Sequence, residues 1–336
     1  MKKLFYAILF MATTTYAQEL ESTKWMGNRP DGHAPISVMG DHTHGKGELM
    51  FSYRYMYMNM EDLNRGSNNV SFQDALSEYM VTPTSMPMNM HMLGMMYAPS
   101  DKITLVAMAN YVDSEMEHLT RMGSTFTTEA SGFGDLKVGA LYTFFNKNSQ
   151  QLHGQIGVSI PTGNIDIEDV TPASSPNEVI LPYPMQIGSG TFDAELALTY
   201  LKQWIGWSFG SQVRTTIRTG INDNDYRLGN RYTINNWFAH NATDWLSFSG
   251  RVEFGTIDRI EGANPALNPM MVITADTVNS GMTYANAAIG FNLYAFQGGL
   301  KNLRFGFEAA LPLFQNMNGI QLRNKETLTF GLQYAL

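Results

Sequence analysis

A strict alternation of residue character near the middle of the chain constrains its fold more than any other feature. Leu136, Val138, Ala140, Tyr142 and Phe144 interleave with Asp135, Lys137 and Gly139. After a polar connection at 146–151 the pattern resumes, with Leu152, Gly154, Ile156, Val158 and Ile160 against His153, Gln155, Gly157 and Ser159. A period of two places each apolar set on one face of an extended strand. Twelve such segments start near Leu49, Met88, Ile103, Leu136, Leu152, Phe192, Ile205, Arg231, Leu246, Ala285, Leu303 and Thr327.

The connections between them alternate in length. Short ones fall at 98–102, 146–151, 201–204, 241–244 and 297–302, and long ones at 61–87, 163–189 and 257–283. The connection at 220–225 is shorter than others of its class. Short turns at one end, longer loops at the other and an even strand count are the layout of a transmembrane barrel. A soluble sandwich has no physical cause to alternate in this way. The fold class expected is therefore all-β: one antiparallel transmembrane β-barrel of twelve strands, with short periplasmic turns and longer extracellular loops. Aromatic residues supply an independent sign. Tyr97, Phe144, Phe145, Tyr200, Trp204, Trp245, Tyr294 and Phe296 border the short turns, and Tyr334 lies at the same level. An aromatic girdle at one membrane interface produces that clustering. On the last strand Leu328, Phe330, Leu332, Tyr334 and Leu336 alternate with Thr329, Gly331, Gln333 and Ala335. This strand closes the ring and resembles the terminal signal read by the barrel-assembly machinery, although that signal usually ends in Phe or Trp.

The other end of the chain indicates export. Lys2 and Lys3 precede an apolar stretch at 4–12, and Thr15-Tyr16-Ala17 offers a small-x-small cleavage site. Three parts follow: a signal peptide at 1–17, a periplasmic or plug segment at 18–47, and the barrel at 48–336. Loss of two lysines moves the formal charge from -8 to -10, which disfavours nucleic acid as a partner. The chain has no cysteine, so no disulfide stabilises it outside the cell. Beyond the first residues no run of eighteen apolar residues exists to form a spanning helix. The expected location is the bacterial outer membrane, with its lipid and the assembly machinery as partners.

Several stretches resemble one family. Gly157-Val158-Ser159-Ile160-Pro161-Thr162-Gly163 is similar to the strand-to-loop motif of outer-membrane barrels of the phenol-degradation meta-pathway transporter type. Val38-Met39-Gly40-Asp41-His42-Thr43-His44, Ser52-Tyr53-Arg54-Tyr55-Met56, residues 90–99, Met185 to Thr191 and the chain from Leu322 onward resemble a Met-rich branch of that group. The resemblance implies a barrel with a role in uptake or efflux, and supplies no solute.

Methionine is the compositional anomaly, with 23 residues that cluster in sequence. Met56, Met58 and Met60 end the first strand. Met80, Met86, Met88, Met90, Met92, Met95 and Met96 surround the second, and Met108, Met116 and Met122 follow on the third. Thioether and imidazole groups suit Cu(I) and Ag(I). Parity puts Met56, Met58, Met108, Met116 and His118 on inward faces, with Met90 and His91 beside them, so these seven form the candidate soft-metal set. The alternative is that Met fills irregular packing. No resident cofactor is expected, only transient Cu(I) or Ag(I). The segment before strand one carries Pro30, Pro35, His33, His42 and His44; it is either a lumen plug and metal-sampling arm or a disordered tail. Arg54, Asp135, Lys137, Asp193, Glu195, Arg214, Arg218, Arg251, Glu253, Arg304 and Glu308 all fall on lumen-facing parity. They are either rings that set selectivity or a salt-bridged interior. No enzyme motif of the Gly-x-Ser-x-Gly, His-Glu-x-x-His or P-loop kind is present. The functional expectation is a small-molecule channel linked to copper or silver handling. A soft-metal binding barrel without a pore and a purely structural barrel are the alternatives.

Overall fold

The computed structural model describes residues 24–336. The signal peptide expected at 1–17 lies outside the described residues. From the N-terminal side the elements are β1 (Leu49–Gly66), β2 (Asn68–Val70), α1 (Phe72–Glu78), β3 (Val81–Ser100), β4 (Ile103–Thr120), β5 (Thr125–Phe133) and β6 (Leu136–Lys147). There follow β7 (Gln150–Ile160), β8 (Glu168–Val170), β9 (Glu178–Ile180), β10 (Asp193–Trp204), β11 (Trp207–Arg218) and β12 (Tyr226–Arg227). The rest are β13 (Arg231–Asn241), β14 (Leu246–Ile257), β15 (Glu261–Gly262), β16 (Met282–Tyr294) and β17 (Leu303–Ala335).

One sheet takes in 13 of these strands, each antiparallel to its neighbour, and pairing of β17 with β1 closes it. Two members, β2 and β5, sit outside the ring, which leaves eleven strands in the closed barrel. The expected count was twelve, and the difference lies in β17. That element has 33 residues. Fully extended it would run about 110 Å, far more than a bilayer core of about 30 Å. It pairs with β16 through Arg304–Met317 and with β1 through Met317–Ala335, turning near Gly319, whose φ is 64°. Its halves also touch: the Phe307 and Phe330 rings lie 4.8 Å apart, and the Asn324 amide donates to Gln315 Oε1 at 2.9 Å. Extended pairing runs on through the turn, so two expected strands form one element.

Sequence parity orients the wall. On β10, Asp193, Glu195, Thr199 and Gln203 are buried, whereas Leu196, Leu198 and Trp204 are exposed. Exposed Val213, Ile234, Phe238, Phe248, Phe254 and Ile289 continue this outer band around the ring. Large apolar side chains facing outward on every strand are stable only against lipid. Tyr97, Phe144, Trp204, Trp245, Phe296 and Tyr334 are exposed beside the short turns, where the girdle was expected. Tyr294 is an exception: it points inward, its hydroxyl donating to Asn302. The β6–β7 turn shows why one end of the barrel is so compact. Its residues Asn148 and Ser149 both adopt φ 55°, the left-handed pair of a two-residue hairpin.

Candidate functional site in the lumen

The segment at 24–48 enters the lumen from the short-turn end. Its first contacts are with residues beside those turns: the Trp25 amide donates to Asn146, the Met26 amide to Gln203 and the Asp31 amide to Asn241. Without regular secondary structure its carbonyl groups need outside donors. The wall supplies them from many sides. Ser247 Oγ donates to the carbonyl of Pro30 at 2.9 Å, and Ser208 Oγ to that of Asp31 at 2.7 Å. Arg304 holds the carbonyl of Ala34, and Arg54 Nε that of Ile36 at 2.9 Å. Gln212 reaches Met39 at 3.0 Å, and His153 Nε2 reaches Gly40 at 2.9 Å.

Apolar sockets complete the fit. Ile36 is 1% exposed, and a Cβ on Gly306 or Gly331 would lie 2.9 or 2.6 Å from its side chain. These wall glycines make room for it. Trp237 is likewise buried, packed against Ala34, Val38 and Leu201 with Gly210 beneath its ring.

All eleven lumen charges expected from parity are buried or partly buried, and most are neutralised in place. Glu195 accepts from Lys137 at 2.8 Å and from Arg214 at 2.9 Å. Arg218 pairs with Asp193. Arg251 meets Glu308 and Glu253, each at 2.6 Å, and Ser37 of the inner segment donates to the same Glu308 at 2.7 Å. Asp135 accepts from the amides of Gly163 and Ser189 and from Ser189 Oγ, which fastens a long loop to the wall. Arg54 and Arg304 serve backbone carbonyls. The arrangement is a braced interior, not open rings of charge.

The candidate soft-metal residues do not form one set. Met56 faces Met90 directly across β1 and β3, and Met58 faces Met88. Met116 packs above them with Met86 and Met185. Met108 lies eight residues from Met116 on the same strand, about 27 Å away along it. His118 stacks on Phe126 and bonds Thr128. His91, on the strand whose faces parity left unassigned, points away from the lumen. It sits on the outward parity of β3, exposed, with its Nδ1 2.8 Å from the hydroxyl of Tyr53. Its neighbours Met90 and Met92 face in because side chains alternate. Methionine instead recurs along the inner faces of β1 and β3, at Met50 opposite Met96 and again at Met56, Met58 and Met60 opposite Met90, Met88 and Met86, with Ser52–Gly94 and Arg54–Met92 between.

At the far end of the lumen the long loops fold inward. Leu181, Tyr183, Met185, Tyr226 and Ile273 are all buried. The Tyr183 and Tyr226 rings meet at 4.9 Å, and Tyr183 accepts a bond from the Asn264 amide. Period-two patterning carries no information about such tips, so sequence reasoning missed them.

Histidines concentrate in the inner segment. The His33 and His42 rings lie 4.3 Å apart, and those of His42 and His44 4.8 Å apart. His42 Nδ1 is 2.9 Å from Asp41, and His44 Nδ1 is 3.2 Å from Glu48. Burial, then the neighbouring His42, pushes His33 well below its ordinary value and His44 down to about 4. Burial alone would raise Asp41; His42, His33 and Arg304 outweigh it and hold that carboxyl well below its usual range. Burial thus favours neutral imidazole at His33 and His44, while Asp41 keeps its charge.

A closed antiparallel barrel with an apolar outer band, an aromatic girdle and a filled polar interior is a protein of the bacterial outer membrane. A family model fits residues 97–323, and the chain belongs to that family, described as the putative MetA-pathway of phenol degradation. No curated protein matches the sequence. Among solved structures, an outer membrane channel from Pseudomonas putida F1 superposes with a TM-score of 0.62 at 14% identity, covering 90% of this chain and 100% of that one. The toluene transporter TodX of P. putida gives a TM-score of 0.43 at 8% identity, over 94% and 99% of the two chains.

Proposed function

We propose that this protein is an outer-membrane channel for small molecules, closed at its short-turn end by its own N-terminal segment. The wall is read as twelve crossings, the two halves of β17 each counting as one. A barrel of that size is wider than one filled by its own wall side chains, so it has room for a removable occupant. The observation that carries the reading is the mode of attachment. Six carbonyls of the inner segment, from Pro30 to Gly40, accept single bonds from side chains on β1, β7, β11, β14 and β17. The four bonds from neutral side chains each contribute only about 1 kcal/mol net, and those from Arg54 and Arg304 about 1.5–3 kcal/mol. A segment held this way can leave the lumen without unfolding the ring, whose own ladder does not depend on it. The likeness to a solved outer membrane channel supports the same reading.

Deletion of residues 24–47 tests it in planar bilayers. The intact protein is expected to show rare openings and the deletion variant a steady conductance. A deletion variant that folds, shown by heat-modifiable migration on gels, and still conducts nothing would leave a structural barrel.

A further inference from the structure

We propose that His33, His42 and His44 form a binding site for one divalent ion of the zinc and copper type, oriented by Asp41. The inference is independent of conduction. Ligand atoms of His33, Asp41 and His42 all lie within 4.8 Å of one another. The His44 ring adjoins that of His42.

The hydrogen bonds around these rings point to a ligand. Three buried imidazole nitrogens, His33 Nδ1, His42 Nε2 and His44 Nε2, have no partner. On His42 and His44 the opposite nitrogen is already engaged, by Asp41 and Glu48. A neutral ring that donates one N–H to a carboxylate presents the other nitrogen as a lone pair. That is how carboxylates orient metal-bound histidines. His153 repeats the pattern from the wall: Nε2 donates to the Gly40 carbonyl and Nδ1 is buried without a partner.

Ordinary packing offers a poor account of this arrangement. Buried polar atoms are nearly always paired, and here unpaired imidazole nitrogens occur on three adjoining rings. Imidazole with carboxylate selects Zn2+ and Cu2+ over Mg2+ and Ca2+. Metal–nitrogen bonds of about 2.0–2.1 Å place ligands about 3.3 Å apart, against a limit of 4.8 Å for His33, Asp41 and His42, so those side chains need to close by up to about 1.5 Å. All three histidines lie on irregular chain, where rotamer changes of that size break no ladder. Arg304 adds positive charge nearby, and Asp41 and Glu48 supply the balance.

The test uses the full barrel in detergent, without a polyhistidine tag and stripped by a chelator. Zn2+ competition against a chromogenic chelator is expected to give one ion per chain. Paramagnetic resonance of the Cu2+ form is expected to show coupling to at least two imidazole nitrogens. The triple variant His33→Ala, His42→Ala, His44→Ala should bind about a hundredfold more weakly or worse while keeping heat-modifiable migration. If the triple variant does not fold, His42→Gln alone should remove one nitrogen coupling. His91→Ala with His240→Ala should behave as the parent. Undiminished binding in the triple variant, unchanged coupling in His42→Gln, or no binding by the parent overturns the site.

Discussion

The two halves of the lumen solve opposite problems. Toward the short turns the occupant is irregular backbone rich in carbonyl groups, and the wall answers with Arg54, Ser208, Gln212, Ser247 and Arg304. Toward the long loops the occupants are apolar tips such as Leu181 and Met185, and the wall answers with Met60, Met86, Met88 and Met116. Directional bonds fix one arrangement of the inner segment. Thioether side chains, flexible and apolar, accommodate several arrangements of the loops. The short-turn half is therefore the specific closure and the loop half the adaptable one.

The largest expected effect on closure comes from overfilling the specific half. A Cβ at Gly331 would lie 2.6 Å from Ile36 and 3.1 Å from Arg54. Gly331→Val should leave the ring intact, because valine favours strands. It should weaken seating of the inner segment by about 1–3 kcal/mol, roughly ten- to a hundredfold in the ratio of closed to open channel. Open probability in planar bilayers checks this. An unchanged value would mean that Ile36 does not seat the segment.

A second change acts on stability instead, and separates bracing from seating. Arg251 is 6% exposed and Glu308 2%, and both carry the wall and Ser37 together. Arg251→Ala leaves Glu308 buried without its cation and should cost up to about 3–5 kcal/mol against urea in lipid vesicles. Arg214→Ala should cost clearly less, since Glu195 keeps Lys137 and Thr216. Equal losses in the two variants would show that the lumen screens both pairs alike.

This contrast also marks how far the sequence could be read. Wall parity was legible because alternation has one physical cause, lipid outside and polar contact inside. It put Arg54, Glu195, Arg251 and Glu308 on one face of their strands without any contact being known, and all four are buried. Pairing of those charges was not legible, since Glu195 meets Lys137 and Arg214 from strands separate in sequence. The face of His91 was not legible, because the second strand mixes methionine with polar residues on both parities. The seat of the inner segment had one sequence sign, the close spacing of His33, His42 and His44 among glycines. Its sockets, Gly306 and Gly331, read only as small residues on a strand. The twelfth strand vanished as a separate element because its turn at Gly319 continues the pairing.

The smallest expected effect concerns the adaptable half, and it decides what the methionine surface is for. Met56, Met58, Met108 and Met116 all face the lumen, but Met108 lies far below Met116, so no single ion can touch all four. Leucine conserves volume and apolarity, and each change should cost less than about 1.5 kcal/mol. Met116 and Met86 are each 1% exposed and packed on Leu181 and Met185, so position 116 should account for most of the loss. The quadruple Met→Leu variant should therefore retain heat-modifiable migration and bind Zn2+ like the parent, because the histidine cluster is untouched. Competition for Cu(I) and Ag(I) against a chelator completes the measurement. Parent and variant are expected to agree, as befits a surface that adapts to the loops above it. A tenfold or greater loss of Cu(I) affinity in the variant would instead assign soft-ion contact to the facing pairs Met56–Met90 and Met58–Met88 or to Met116 beside Met86 and Met185.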